Sequence, residues 1–336
     1  MPRVMSSSGR LLTRVDCGTY HKSIEARFAD RSSQGSGPYI GLVGVGWREG
    51  SVQPYNPLVR STASWRPSHA SPVRPVRAPP PLRLDTSGGL DTMNADLAYF
   101  AALQENLTAL ADAERPAIER AAGAIADSVA AGGVVHYFGS GHSQLVAIEP
   151  LLRAGGLAPV NVIADPALSP AAPRHAGAAE RVSGYAAAIL STADIRAGEV
   201  VVVISNSGIN AVPVEFALGA RALGATVVAV TSRAHSLSAE SRHPDGHRLL
   251  DVADIVIDTH GRPGDTVVPV GDSAVGALST VVGAAIVNAL TCRAAELLAE
   301  LHGQAPPLIA SQNTGDDAER HNNALLEKVK DRCPQG

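Results

Sequence analysis

The sequence predicts a three-layer α/β/α sandwich built on a parallel sheet, and three observations carry that reading. Five short apolar runs, at 133–138, 159–164, 199–204, 226–231 and 254–258, are rich in valine and isoleucine and lack polar alternation. Strands buried on both faces of a parallel sheet have that pattern. The runs are separated by segments long enough for crossover helices, which implies right-handed βαβ connections. Finally, the first and third runs each end in a Gly/Ser-rich turn ahead of a helix, the usual place of a ligand site in such sheets.

The elements follow in chain order. Residues 1–92 hold both tryptophans and 12 of the 28 basic residues but only 6 of the 32 acidic ones. The proline-rich stretch 67–81 is incompatible with helix or central strand. Gly41-Leu42-Val43-Gly44-Val45-Gly46 looks like a dinucleotide loop, but no amphipathic helix follows it. This segment is expected to be a disordered extension, and a single domain is expected over 93–336. From Met93, Phe100, Leu103, Leu107 and Leu110 recur at helical steps, and so do Ile118, Ala122, Ile125 and Val129. They predict two helices, or one broken near Pro116. Beyond the five strands the pattern predicts a long helix from about Ser273 to Leu301 and an amphipathic one from about Ala318 to Arg332.

Composition excludes several classes. Residues 93–336 carry 16 basic against 26 acidic side chains, a poor match to nucleic acid. No run of 18 or more apolar residues occurs, so no membrane span is expected, and the N-terminus lacks the apolar segment of a secretory signal. Cys17, Cys292 and Cys333 are odd in number and have no ligand-like spacing, which fits a reducing cytoplasm. Eleven histidines include His235, His243 and His247, but no metal-ligand spacing appears, and neither metal nor cofactor is expected.

The two turns are Gly139-Ser140-Gly141-His142-Ser143, with a helix expected near Gln144, and Ser205-Asn206-Ser207-Gly208-Ile209-Asn210, with a helix from about Ala211. Backbone N–H groups, small hydroxyls and a helix N-terminus at a strand's end favour an anion, most often a phosphate. Ser143 is placed to cap its helix and to donate to a phosphate oxygen. A Rossmann loop would need glycine where Gln144 stands, although Asp165 lies where its ribose-binding acid would be. A nucleophile elbow needs Gly-x-Ser-x-Gly, which neither turn has, and the Walker lysine is missing.

The pair of turns, some sixty residues apart, resembles the sugar isomerase (SIS) domain family, from about Met93 to Arg332. Finer motifs resemble its phosphoheptose-isomerase-like subgroup. They are Arg153-Ala154-Gly155-Gly156-Leu157, His243-Pro244-Asp245-Gly246, Pro263-Gly264-Asp265, Ser279-Thr280, Pro306-Pro307 and His321-Asn322. The resemblance implies a flavodoxin-like five-stranded order 2-1-3-4-5, a homodimer or tetramer, and a sugar phosphate held by Ser140, Ser143, Ser205, Ser207 and Asn210.

Aldose–ketose isomerisation needs a base to move a proton between adjacent carbons and an acid for the oxygen, and no cofactor. Glu149, six residues past Ser143 in an apolar segment, is one candidate, since an unpaired carboxylate there would be costly. The resemblance adds Glu180, with Arg174 and His175 nearby, and His321 on the C-terminal helix, ahead of His302 and His142. Ser183 departs from the glutamate of close relatives. Two other outcomes of the same resemblance are a sensor that binds a sugar phosphate without turnover and a lyase or etherase acting on an amino-sugar phosphate. Residues 1–92 show no helix-turn-helix pattern of the kind joined to this domain in regulators.

Overall fold

The computed structural model describes residues 94–333 and the backbone of two earlier strands. Those strands, Leu11–Cys17 (β1) and Tyr20–Ala26 (β2), pair antiparallel within a unit that spans Met1–Ala78. The rest of the expected disordered extension lies outside the described residues.

The second unit, Pro79–Gly336, opens with two helices, Ala95–Ala113 (α1) and Arg115–Ala130 (α2). They part at Glu114, because Pro116 in the first turn of α2 has no N–H to continue α1. Five parallel strands follow: Val135–Gly139 (β3), Val160–Ile163 (β4), Val200–Ile204 (β5), Thr226–Thr231 (β6) and Ile255–Asp258 (β7). Their spatial order is β4-β3-β5-β6-β7, which is 2-1-3-4-5 within the domain.

Pleating divides each strand between two cores. Val135, Tyr137, Val200, Val202, Ile204, Val228 and Val230 face α2 and Ser279–His302 (α9). Phe138, Val201, Val203, Val227 and Ala229 face Tyr185–Leu190 (α5) and Ala211–Ala222 (α6). On that second face Phe138 stacks on Phe216 with centroids 3.9 Å apart. Gly219 of α6 lets the two helices meet, since a Cβ there would lie 2.2 Å from Leu190 Cδ1.

The other helices are His142–Ile148 (α3), Pro173–Ala179 (α4), Arg233–Leu237 (α7), Leu249–Val252 (α8) and Asp316–Glu327 (α10). The expected helix from Ser273 is corrected. Thr266–Val270 (β8) and Ser273–Ala277 (β9) form an antiparallel hairpin turned at Gly271, and α9 starts only at Ser279. Although α9 is long and apolar, Val282, Ile286, Leu290, Leu297 and Leu298 are buried in the first core, as in the core helix of a globular domain.

Candidate functional site

Parallel register brings the two predicted turns together. Gly139 at the end of β3 pairs with Ile204 at the end of β5, so both turns leave the sheet at one level, side by side. The first turn is tight, with a Cβ on Gly139 falling 2.5 Å from Ser143 O. Gly141 N donates to Leu168 O, Ser143 N to Ser140 O and Gln144 N to Gly141 O. The helix begins at His142, two residues earlier than expected, with Gly141 as its N-cap. Ser143 therefore lies inside the first turn and makes no cap, which leaves its hydroxyl for other work.

In the second turn Gly208 N donates to Ser205 Oγ at 3.2 Å, and Asn206 O accepts from Ser232 N and Thr231 Oγ1. Gly208 has φ +60, and a Cβ there would lie 2.8 Å from Thr231 Oγ1, so glycine is required twice over. Asn210 is the buried N-cap of α6, yet its Oδ1 accepts from Arg242 Nη1 at 2.6 Å instead of capping the helix. Among the described residues the half-buried hydroxyls of Ser143 and Ser207 have no hydrogen-bond partner, and neither do the N–H groups of Asn206 and Ser207.

A narrow cleft joins the turns to the start of α9. It is lined by Ser143, Val146, Ile204, Asn206, Val230, Thr259, Ser279, Thr280 and Gly283, and closes to about 10 Å³, room for roughly one water. Gly283 allows the close approach of α9, a Cβ there meeting Val146 Cγ1 at 3.1 Å. Asp265 fixes this helix end, accepting from Ser279 N at 2.9 Å and Ser279 Oγ at 2.6 Å. Thr259 Oγ1 donates to Asn206 Oδ1 at 3.4 Å. The cleft thus joins polar side chains from both turns, from Thr259 and from the start of α9 around an apolar floor of Val146, Ile204 and Val230.

The carboxylate bonded to the first turn is that of Glu180. It accepts from Ser140 Oγ at 2.7 Å through Oε2, while its backbone carbonyl accepts from Val212 N at 3.0 Å in the first turn of α6. Glu180 is half-buried and Ser140 is buried. Ser183 donates to Glu215 Oε1 at 2.6 Å. Close by, Tyr185 Oη donates to both oxygens of Asp165 at 3.0 Å, and Gln144 Nε2 donates to Asp165 O. Burial, with Asp165 second, raises the Tyr185 pKa above its ordinary value, so the phenol stays protonated at neutral pH.

The other candidates lie apart within one chain. Glu149 at the far end of α3 pairs with Arg153 Nε at 3.3 Å and accepts from Asn288 Nδ2 at 3.4 Å. His321 is exposed on α10, with Nε2 at 2.9 Å from Leu308 O, and His302 pairs with Asp127 at the end of α9. None of the three hydrogen-bonds to either turn or to Glu180. His142 is exposed in the first turn itself. No group of three His, Cys, Asp or Glu with metal-holding geometry occurs among the described residues.

Two contributors escaped the sequence, and the place of another was misread. Thr259 follows the fifth strand, so the rule that sites gather at strand ends would have found it. The Ser279-Thr280 pair was singled out as a motif, but its place at a helix start was hidden by a helix assumed to start six residues earlier. Arg242 reaches the second turn from just before the His243-Pro244-Asp245-Gly246 motif, which drew attention to the segment but not to the arginine, and its neighbour His243 is buried.

The SIS domain family matches residues 98–232. The UPF0309 protein of Geobacillus thermodenitrificans is 38% identical over 239 residues, covering 70% of this chain and 95% of that protein. Its counterpart from Streptomyces coelicolor is 41% identical over 239 residues, 70% of this chain and 94% of the relative. Among solved structures, a phosphoheptose isomerase from Francisella tularensis is similar at 19% identity and TM-score 0.42, over 60% of this chain and 98% of that one. On the strength of the near-full-length relatives and the domain match, this chain belongs to the SIS domain family, among its UPF0309 proteins.

Proposed function

We propose that the protein binds a phosphorylated sugar between its two turns and isomerises it between aldose and ketose without a cofactor. The single observation that carries this reading is the position of Glu180. Its carboxylate is bonded to Ser140 of the first turn while its backbone is bonded to the helix that starts at the second. A phosphate held by Ser143, Ser207 and the free N–H groups of Asn206 and Ser207 leaves the carbon chain of the sugar outside the narrow cleft, at the strand ends on the side of Glu180. Glu180 then removes the proton from the carbon next to the carbonyl. The resulting enediol is reprotonated at the former carbonyl carbon, and a hydroxyl proton shifts between the oxygens. Ser140 holds the carboxylate in place until substrate arrives.

We also propose a homo-oligomer, in which exposed Leu145 and Ile148 of α3 and Val281 of α9 are covered by a second copy. Glu149 and His321, which hydrogen-bond to neither turn nor to Glu180 in one chain, join the reaction if such a partner brings them to it.

The test is solvent deuterium exchange into a panel of sugar phosphates. The wild-type protein is expected to label the carbon adjacent to the carbonyl in at least one of them, and Glu180→Gln to lose that labelling by about 100-fold or more while still binding. Undiminished exchange in Glu180→Gln sinks the assignment of the base. Binding without exchange in the wild type makes the protein a sensor.

A further inference from the structure

The reading above supplies hydroxyls and N–H groups for the phosphate but no positive charge. The segment between α7 and α8 supplies one. Arg242 is tied to the second turn at two points, its backbone N donating to Ile209 O at 2.8 Å and its Nη1 to Asn210 Oδ1 at 2.6 Å. The turn that carries it is itself fixed, with His243 N donating to Ser241 Oγ at 3.0 Å and Gly246 N to His243 O at 2.9 Å.

What this arginine lacks is a carboxylate. Six of the fourteen described guanidinium groups pair with carboxylates, among them Arg153 with Glu149, Arg221 with Asp254, Arg293 with Glu119 and Arg332 with Glu199. Arg242 is exposed and among the eight that do not, and of those eight it is the one that hydrogen-bonds to the second turn. Arg248, in the same segment as Arg242, spends its donors on the carbonyls of Ser236 and Ala239. Arg242 has no ion-pair partner among the described residues, and its Nε and Nη2 are unused. Holding a long side chain in one geometry costs rotamer entropy, which an ion pair or a ligand ordinarily offsets. Asn210 is committed to this arginine, since a buried N-cap asparagine that serves a guanidinium leaves the first turn of α6 without its side-chain cap.

We propose that Arg242 is the specificity-determining cation of this site, presenting its free N–H groups to the phosphate that the second turn cradles and making the site select an anion. The inference rests on the two-turn reading. A fixed planar guanidinium matches phosphate oxygens in a way that a flexible ammonium does not. Hydroxyls and N–H groups alone also accept neutral polar ligands, so the fixed charge decides which ligand class is retained.

The experiment uses the full chain and inorganic phosphate, titrated calorimetrically at pH 7.5 in low and high salt. The variants are Arg242→Gln, Arg242→Lys and Asn210→Ala. Arg242→Gln is expected to weaken phosphate about tenfold and to flatten the salt dependence, because one charge-assisted contact is lost. Arg242→Lys should recover part of the affinity and most of the salt dependence, since the charge returns without the fork. Asn210→Ala should weaken binding while keeping the salt dependence. Equal affinity in Arg242→Gln and wild type overturns the inference and leaves the two-turn site standing. An unaltered salt dependence in Arg242→Gln also overturns it, reducing the residue to a prop for Asn210. Absence of phosphate binding in the wild type removes the anion site, and both readings fall together.

Discussion

At position 208 the backbone adopts φ +60 with Thr231 Oγ1 pressed against the place of a Cβ. Gly208→Ala is therefore expected to lose about 1 kcal/mol or more of stability, read from urea midpoints, and to distort the ligand site as well. The unpartnered hydroxyls of Ser143 and Ser207 behave in the opposite way. Ser143→Ala and Ser207→Ala remove no internal hydrogen bond, so Tm should hold. Each should weaken sugar-phosphate binding about tenfold, the worth of roughly 1.5 kcal/mol for a hydrogen bond to a charged group. A fall in Tm without a change in affinity would mean that the hydroxyls serve the fold. Both turns were legible because Gly, Ser and Asn at a strand's end have few structural uses. The placing of Ser143 as a helix cap was not, because Gly141 in a left-handed turn lets the helix begin earlier. Glu180 was indicated by resemblance, and its bond to Ser140 spans forty residues that no local pattern connects.

Among the elements, the starts of β3 and β5 meet the segment beyond α10 in a buried ionic network at the pole of the sheet opposite the turns. His136, fully buried, lies 3.0 Å from Glu199 and 3.1 Å from Asn161. Glu199 also accepts from Val134 N, Arg196 N and Arg332 beyond α10. Burial holds the His136 pKa below its ordinary 6.5, against the pull of Glu199. Burial would raise that of Glu199, but its bonds from His136, Arg196, Arg332 and Val134 outweigh it and leave it below 4.5. Both groups bind fewer protons folded than unfolded, so stability rises with pH through their titration ranges. Tm is expected to be flat from about pH 7 to 8, to fall as pH drops below about 6.5, and to fall further below about 4.5. A maximum near pH 5 would contradict this. Arg332→Ala leaves a buried carboxylate without its cation and should cost about 3 kcal/mol in chemical unfolding.

The elements themselves were mostly readable. Each strand matched within two residues because uninterrupted Val and Ile runs have one use in an α/β protein. The start of α9 was missed because Ser273-Ala274-Val275-Gly276-Ala277 is apolar or small at every position. Periods of two and 3.6 cannot be told apart there, and only pairing with β8 decides.

For the molecule as a whole, the sheet separates two cores on its faces and two kinds of polar chemistry at its ends. At one end charges are buried and matched. At the other, hydroxyls, N–H groups and the guanidinium of Arg242 are left open, the arrangement that a ligand must complete. The proposed oligomer belongs to this scale as well. Light scattering should give a multiple of the chain mass, and Val281→Glu should reduce it; a monomer in the wild type refutes the proposal. The central claim is that the two turns hold the phosphate of a sugar, and its most direct test is a thermal-shift titration against sugar phosphates and the matching unphosphorylated sugars. The account predicts a saturable rise in Tm with a phosphorylated sugar alone, lost in the Ser143→Ala/Ser207→Ala double variant. Equal shifts by a sugar and its phosphate, or a shift that survives in the double variant, would contradict it.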